Sequence, residues 1–243
     1  MIRTTIIVVA LALASPMAWA AKGGNLDSSG ANVHDMASVQ RGAATFVNYC
    51  QHCHSAEFMR YERLRQDLGL TEEQVLENLA FGDQELADYM LSPITTEQAT
   101  EWFDAPAPDL SLTARSRGGN WIYTFLRGFY LDEEGWNNTV QEHSSMPHVL
   151  WELQGIQRPI YETETAGDGQ ERRVLVGLEL AQDGLMSTTE YDRKVRDLVA
   201  YMEYMAEPAI LQRKRVGIWV MLFLSLLTFM SYLVYKEFWK DIK

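Results

Sequence analysis

The residues best able to do chemistry are gathered at Cys50-Gln51-His52-Cys53-His54, a C-x-x-C-H segment holding both cysteines of the 243-residue chain. Two thiols about one helical turn apart can add to the two vinyl groups of one haem, and the adjacent imidazole can then ligate the iron. Three other uses compete for these residues. A thioredoxin-like C-x-x-C needs a βαβ context, which the pattern does not offer. A structural zinc site needs four ligands, and there is no second cysteine pair. A Cys50–Cys53 disulfide is the reading without a cofactor. The motif predicts one covalently bound haem c on Cys50 and Cys53, with His54 as proximal ligand.

The sixth iron position then decides the chemistry. An open position suits a gas sensor or a peroxidase, whereas a methionine thioether closes the site and raises the potential of an electron carrier. The candidates are Met59, Met90, Met146, Met186, His143 and His148. Met59 is too close to His54 in sequence to reach the opposite haem face. Met186, Met202 and Met205 fit the packing of a terminal helix, where methionine is usually core. Met146 stands among helix breakers, in Ser144-Ser145-Met146-Pro147, and Pro147 pushes it toward extended backbone. Met146 is the predicted sixth ligand, His148 the next choice, and His143 a surface residue.

The elements that must position these side chains read as mostly helical. Ser38 can cap a helix bearing Val39, Ala43, Phe46 and Val47 and running to Cys50. Thr71 and Gln74 form a capping box, and Gly119 or Asn120 opens a helix with Trp121, Ile122, Phe125, Leu126 and Phe129 on one face. Ser187 or Thr188 caps a long helix that Pro208 interrupts. Between Arg158 and Leu180 the pattern alternates as a β-hairpin with Gly167-Asp168-Gly169 as its turn. Residues 104–119 and 132–148 read as loops.

Both ends carry apolar runs. Arg3, the run Ile6 to Ala14 and Ala18-Trp19-Ala20 make a secretory leader over residues 1–20, with an uncleaved anchor as the alternative. Val216 to Tyr235 is a stretch of 20 residues without Asp, Glu, Lys or Arg, enough helix to cross a hydrocarbon core about 30 Å thick; a buried core helix is the bland alternative. Three basic residues flank each side of this run, so charge does not orient it, and the leader does: head exported, tail cytoplasmic. The expected organisation is a signal peptide at 1–20, a haem domain at 21–212, and an anchor at 213–243 with its span at 216–235.

Residues 21–212 hold 14 Lys and Arg against 31 Asp and Glu, a net −17, while the whole chain is at −12. That balance argues against nucleic acid as a partner, which needs a basic face. It would steer a basic partner toward the head, unless the acidity serves solubility alone.

Several segments resemble the bacterial cytochrome c1 family: Gln40-Arg41-Gly42 and Asn48-Tyr49 before the motif, Phe58-Met59-Arg60-Tyr61 after it, and Pro108-Asp109-Leu110-Ser111 with Ala114-Arg115-Ser116-Arg117-Gly118. Gly135-Trp136-Asn137-Asn138, the run Met146 to Gly155, and Glu207-Pro208 before an anchor ending Glu237-Phe238-Trp239-Lys240-Asp241 complete the resemblance, which covers nearly all of residues 38–243. Two segments depart from the family pattern, Val33-His34-Asp35-Met36 and the polar Gln141-Glu142-His143-Ser144-Ser145, and neither removes a ligand. The resemblance implies a mainly α, c-type cytochrome fold with a small β-hairpin insertion and one C-terminal transmembrane helix. It implies the haem subunit of a dimeric cytochrome bc1 complex (ubiquinol–cytochrome c reductase) in the bacterial inner membrane, beside cytochrome b and the Rieske iron–sulfur protein. Electrons would pass from the Rieske centre to this haem and on to a soluble or membrane-bound cytochrome c, with no other substrate chemistry. The resemblance also makes Met146 the axial methionine and puts Arg115 near the haem propionates, where a plain surface role is the alternative. A free-standing membrane-anchored shuttle and a haem enzyme or sensor are the competing classes.

Overall fold

The computed structural model describes residues 26–165 and 171–241. The leader at 1–20 and the turn Gly167-Asp168-Gly169 lie outside the described residues.

The first helix, α1 (Met36–Tyr49), begins one turn earlier than its Ser38 signal. Asp35 is the cap, its carboxylate accepting from the Ser38 N–H at 3.2 Å. Ser38 is buried, and its hydroxyl donates to Asp197 at 2.5 Å instead. A short ribbon follows, in which β1 (Ala56–Arg60) pairs antiparallel with β2 (Tyr89–Met90). Between its strands lie α2 (Tyr61–Leu68) and α3 (Glu72–Asn78), the latter opened by the Thr71–Gln74 capping box. A second such box, Thr95 with Gln98, starts α4 (Thr96–Phe103).

The two predicted loop regions are not wholly irregular. α5 (Thr113–Ser116) sits in the first, and the second contains β4 (Trp136–Asn138), which pairs with β3 (Phe129–Leu131). Between them α6 (Gly119–Arg127) follows Gly118, whose φ of 91° suits a residue without a side chain. After α7 (Trp151–Gln154) comes the hairpin of β5 (Gly155–Thr165) and β6 (Glu171–Asp183), longer at both ends than the alternation alone marks. Long α8 (Thr188–Ala206) opens on a Ser187–Glu190 capping box and stops before Pro208.

The core sits where α1 crosses α8, the most extensive helix pair of the described residues. Val39, Ala43, Phe46 and Val47 of α1 meet Val195, Leu198, Val199 and Met202 of α8, all buried. Asp197 is gripped from α1 by Arg41 through Nε at 2.6 Å and Nη2 at 3.1 Å, besides Ser38. The final helix, α9 (Ile210–Phe238), packs only Ile210 and Leu211 against the core. Its stretch Arg215–Phe238 has a mean hydropathy of 2.0 and none of it is buried. Leaving that much apolar surface outside a core costs heavily in water and nothing in lipid.

Candidate haem site

α1 delivers the C-x-x-C-H segment. Its last carbonyls are capped by the Cys50 and Gln51 N–H groups, both donating to the Phe46 carbonyl at 2.8 and 3.0 Å. The chain then turns tightly, with the Cys53 and His54 N–H groups donating to the Cys50 carbonyl at 3.1 and 2.9 Å. Buried Gln51 ties this turn to α2 by donating to the Tyr61 hydroxyl at 2.7 Å. Both thiols are free. Burial pushes the Cys50 thiol up to about 12, helped by neighbouring Cys53, and burial raises Cys53 as well. A redox C-x-x-C works through a depressed thiolate, so these thiols are not suited to that role.

His54 is held by a single informative contact: Nδ1 lies 2.8 Å from the Pro108 carbonyl. A carbonyl only accepts, so Nδ1 carries the proton and Nε2 keeps its lone pair. Burial pushes the His54 pKa down, outweighing the Pro108 bond and nearby Asp109, which favours the neutral ring. The Pro108 segment is itself strapped to the residues after the motif. The Leu110 N–H donates to the Ser55 carbonyl at 2.9 Å, the Glu57 N–H to Asp109 at 2.8 Å and the Phe58 N–H to the Ser111 hydroxyl at 3.1 Å. Ser92 closes the other side: its hydroxyl donates to the His52 carbonyl and accepts from the Ile94 N–H, while its own N–H donates to the Ser55 hydroxyl.

Met146 is half-buried and packs against the same core that includes Cys50. Its rivals are used elsewhere. Met59 and Met90 are buried, and Met90 accepts from the Tyr201 hydroxyl at 3.5 Å; Met202 and Met205 are core. The Met146 segment is framed by two asparagines of β4. Asn138, wholly buried, accepts from the Val140 and Gln141 N–H groups and donates to the Phe125 carbonyl. Asn137 accepts from the N–H of His143, an exposed residue with φ 55°. His148 is 2% exposed, stacked on Phe129 at 4.9 Å with Trp136 edge-on at 5.4 Å. Desolvation of this buried ring outweighs its contact with Gln154 and drops its pKa to about 4. Arg115, on α5, has a side chain 64% exposed and pairs with Glu207 at 3.2 Å, so its visible partner is a carboxylate of the head–anchor junction.

Sequence reasoning named candidate donors but not the groups that aim them. Pro108, Ser55 and Asn138 act through hydrogen bonds between segments distant in the chain, and only the family-like stretches around 108 and 136 signalled them.

A family model described as the Cytochrome C1 family matches residues 28–242. The chain belongs to the cytochrome c1 family. It is 41% identical to cytochrome c1 of Allochromatium vinosum, over 98% of both chains. It is also 41% identical to a Nitrosomonas europaea protein named ammonia monooxygenase gamma subunit, over 89% of this chain and 88% of that one. Cytochrome c1 of Rhodospirillum rubrum is 29% identical over 86% of this chain and 84% of its own. Members of the cytochrome c1 family bind one haem c covalently and work in electron transport, and the fold described above is theirs. The local donor set fits that group: two free thiols on one turn and a neutral imidazole whose proton is committed to a carbonyl.

Proposed function

We propose that the chain carries electrons from the Rieske iron–sulfur protein to a cytochrome c, as the haem subunit of a cytochrome bc1 complex that includes cytochrome b. The observation that carries this reading is the His54 ring fixed on the Pro108 carbonyl beside two free thiols, in a chain of the cytochrome c1 family. When bound, haem supplies a one-electron iron couple. Cys50 and Cys53 would hold it by thioethers, and His54 would offer Nε2 to the iron. Met146 would offer its sulfur as the second protein ligand, on a loop that Asn137 and Asn138 hold in place. Arg115 keeps most of its guanidinium accessible and is the proposed partner of a haem carboxylate. The haem head would lie in the periplasm and the short tail in the cytoplasm, within a dimeric complex.

Purification from its host in mild detergent, with a subunit count and a haem spectrum, tests the assignment. Cytochrome b and an iron–sulfur subunit should co-purify in equal amounts. The Nitrosomonas relative supports a second reading, attachment to an ammonia monooxygenase; that enzyme's subunits in place of cytochrome b would establish it. Recovery of the chain alone would point to a free-standing shuttle.

Met146→Leu should keep covalent haem while losing the weak far-red sulfur-to-iron absorption and lowering the reduction potential. Leucine matches methionine in volume, so packing costs less than about 1.5 kcal/mol and the spectral change reports ligation. An unaltered spectrum would move the role to another side chain.

Electron transfer to a basic cytochrome c should slow as salt rises, because the −17 of residues 21–212 steers such a partner and salt at about 0.15 M screens beyond about 8 Å. Stopped-flow rates that stay flat between low and physiological ionic strength would assign the acidity to solubility alone.

A further inference from the structure

We propose that the cleft where the head meets the membrane anchor seats the headgroup of an anionic phospholipid. The cleft, about 500 Å³, is bounded by Phe58, Arg60, Arg63 and Tyr89 on one wall and by Pro208 and Ala209 on the other. Its position follows from the anchor. Ala209 precedes Arg215, where the apolar stretch starts, by six residues, about 9 Å of helix, which holds the cleft at the membrane surface, against the headgroups.

Its lining has the chemistry of a phosphodiester site with an apolar floor. The Arg60 guanidinium lies 4.0 Å over the Tyr89 ring, donates to the Tyr89 hydroxyl at 2.7 Å and to the Ala87 carbonyl, and has no carboxylate partner among the described contacts. Arginine carries five N–H donors in a planar fork, so donors are left for a phosphate. Three acids at the cleft and the junction are already engaged: Glu62 by Arg65, Asp67 by Arg63, and Glu207 by Arg115 and Arg213. Phe58, 67% exposed, offers an apolar surface at the level where acyl chains begin. Arg60 and Arg63 line the cleft, and Arg115 and Arg213 pair with Glu207 beside it, at the junction of a head whose net charge is −17. An acidic head would otherwise be repelled by an anionic leaflet, and this local reversal of sign is complementary to it.

Native mass spectrometry of the full-length haem-loaded chain, in detergent with equal amounts of phosphatidylglycerol and phosphatidylcholine, tests the proposal. The wild type should retain phosphatidylglycerol in preference. Arg60→Gln should lower the ratio about five-fold, the weight of one basic residue at an anionic surface. Arg158→Gln, on the exposed hairpin, should leave it unchanged, and an unaltered haem spectrum confirms folding of both variants. A wild type without preference, or an Arg60→Gln ratio equal to that of the wild type, overturns the proposal. So does displacement of the lipid by millimolar inorganic phosphate, which would mark a site for free anions. Loss of cytochrome b from the purified complex of Arg60→Gln, with no lipid preference in the isolated chain, would make the cleft a subunit contact and equally overturn it.

Discussion

A chain carrying both Cys50→Ser and Cys53→Ser should show no haem band on a denaturing gel stained for peroxidase activity. Thioethers survive denaturation and axial bonds do not, so the stain reads the covalent links alone and needs no folded protein. The single variants should differ. Cys53 is half-buried, and Cys53→Ser should keep one link, with a weaker band and an absorption maximum moved to longer wavelength by the unreacted vinyl group. Cys50 is 8% exposed within the core, so Cys50→Ser also buries a hydroxyl with no evident partner, at about 1–3 kcal/mol. Its band should be weaker and its yield lower. A full-strength band in the double variant would rule out thioether attachment through these residues.

The motif was legible because its chemistry is local: five consecutive residues carry the thiols and the imidazole. What holds them is not local, and so could not be read. Pro108 fixes the His54 tautomer across 54 positions, through a backbone carbonyl that every residue type possesses. The capping box at Thr71 and the cap at Ser187 or Thr188 were readable for the same reason as the motif, their signals lying within four residues. Ser38 misled because serine caps helices and also satisfies buried carboxylates; here the tertiary partner, Asp197, took the hydroxyl and left the cap to Asp35. The hairpin was visible by its alternation, but its ends were not, since Gly155 and Ile156 pair with Asp183 and Gln182 through backbone groups, past a register shift that leaves Ala181 without a partner and breaks the pattern. Met146 lies between these cases. Helix breakers marked its segment as a loop, while the buried Asn138 that frames it reads in sequence as one more loop asparagine.

Gly42→Ala should lower the melting temperature of the haem-loaded protein by about 10 °C and cut the yield of mature cytochrome, although the position is helical and alanine is the better helix former by about 1 kcal/mol. A Cβ at Gly42 would stand 2.0 Å from the Asp197 carbonyl oxygen and 2.7 Å from the Tyr201 Cβ. The first of these is backbone of α8 and cannot swing aside. Relief therefore requires the two helices to part, and three things are attached to that separation. Arg41 and Ser38, both just ahead of Gly42 in α1, would lose their grip on Asp197. The Phe46–Tyr201 ring contact, 5.4 Å between centroids, would open. And Cys50, which the end of α1 delivers, would shift against the rest of the site. Overpacking costs about 1–3 kcal/mol, and a clash with backbone lies at the upper end; about 3 kcal/mol at about 2–4 °C per kcal/mol for a domain of this size gives a drop of about 10 °C. Gly217→Ala is the matched control. It lies in the anchor helix with no atom within 4 Å of the added methyl, and should leave the melting temperature of the head in place. If Gly42→Ala proves as stable as Gly217→Ala, the α1–α8 crossing must be looser than 2.0 Å implies, and the glycine would owe its place to something other than helix contact.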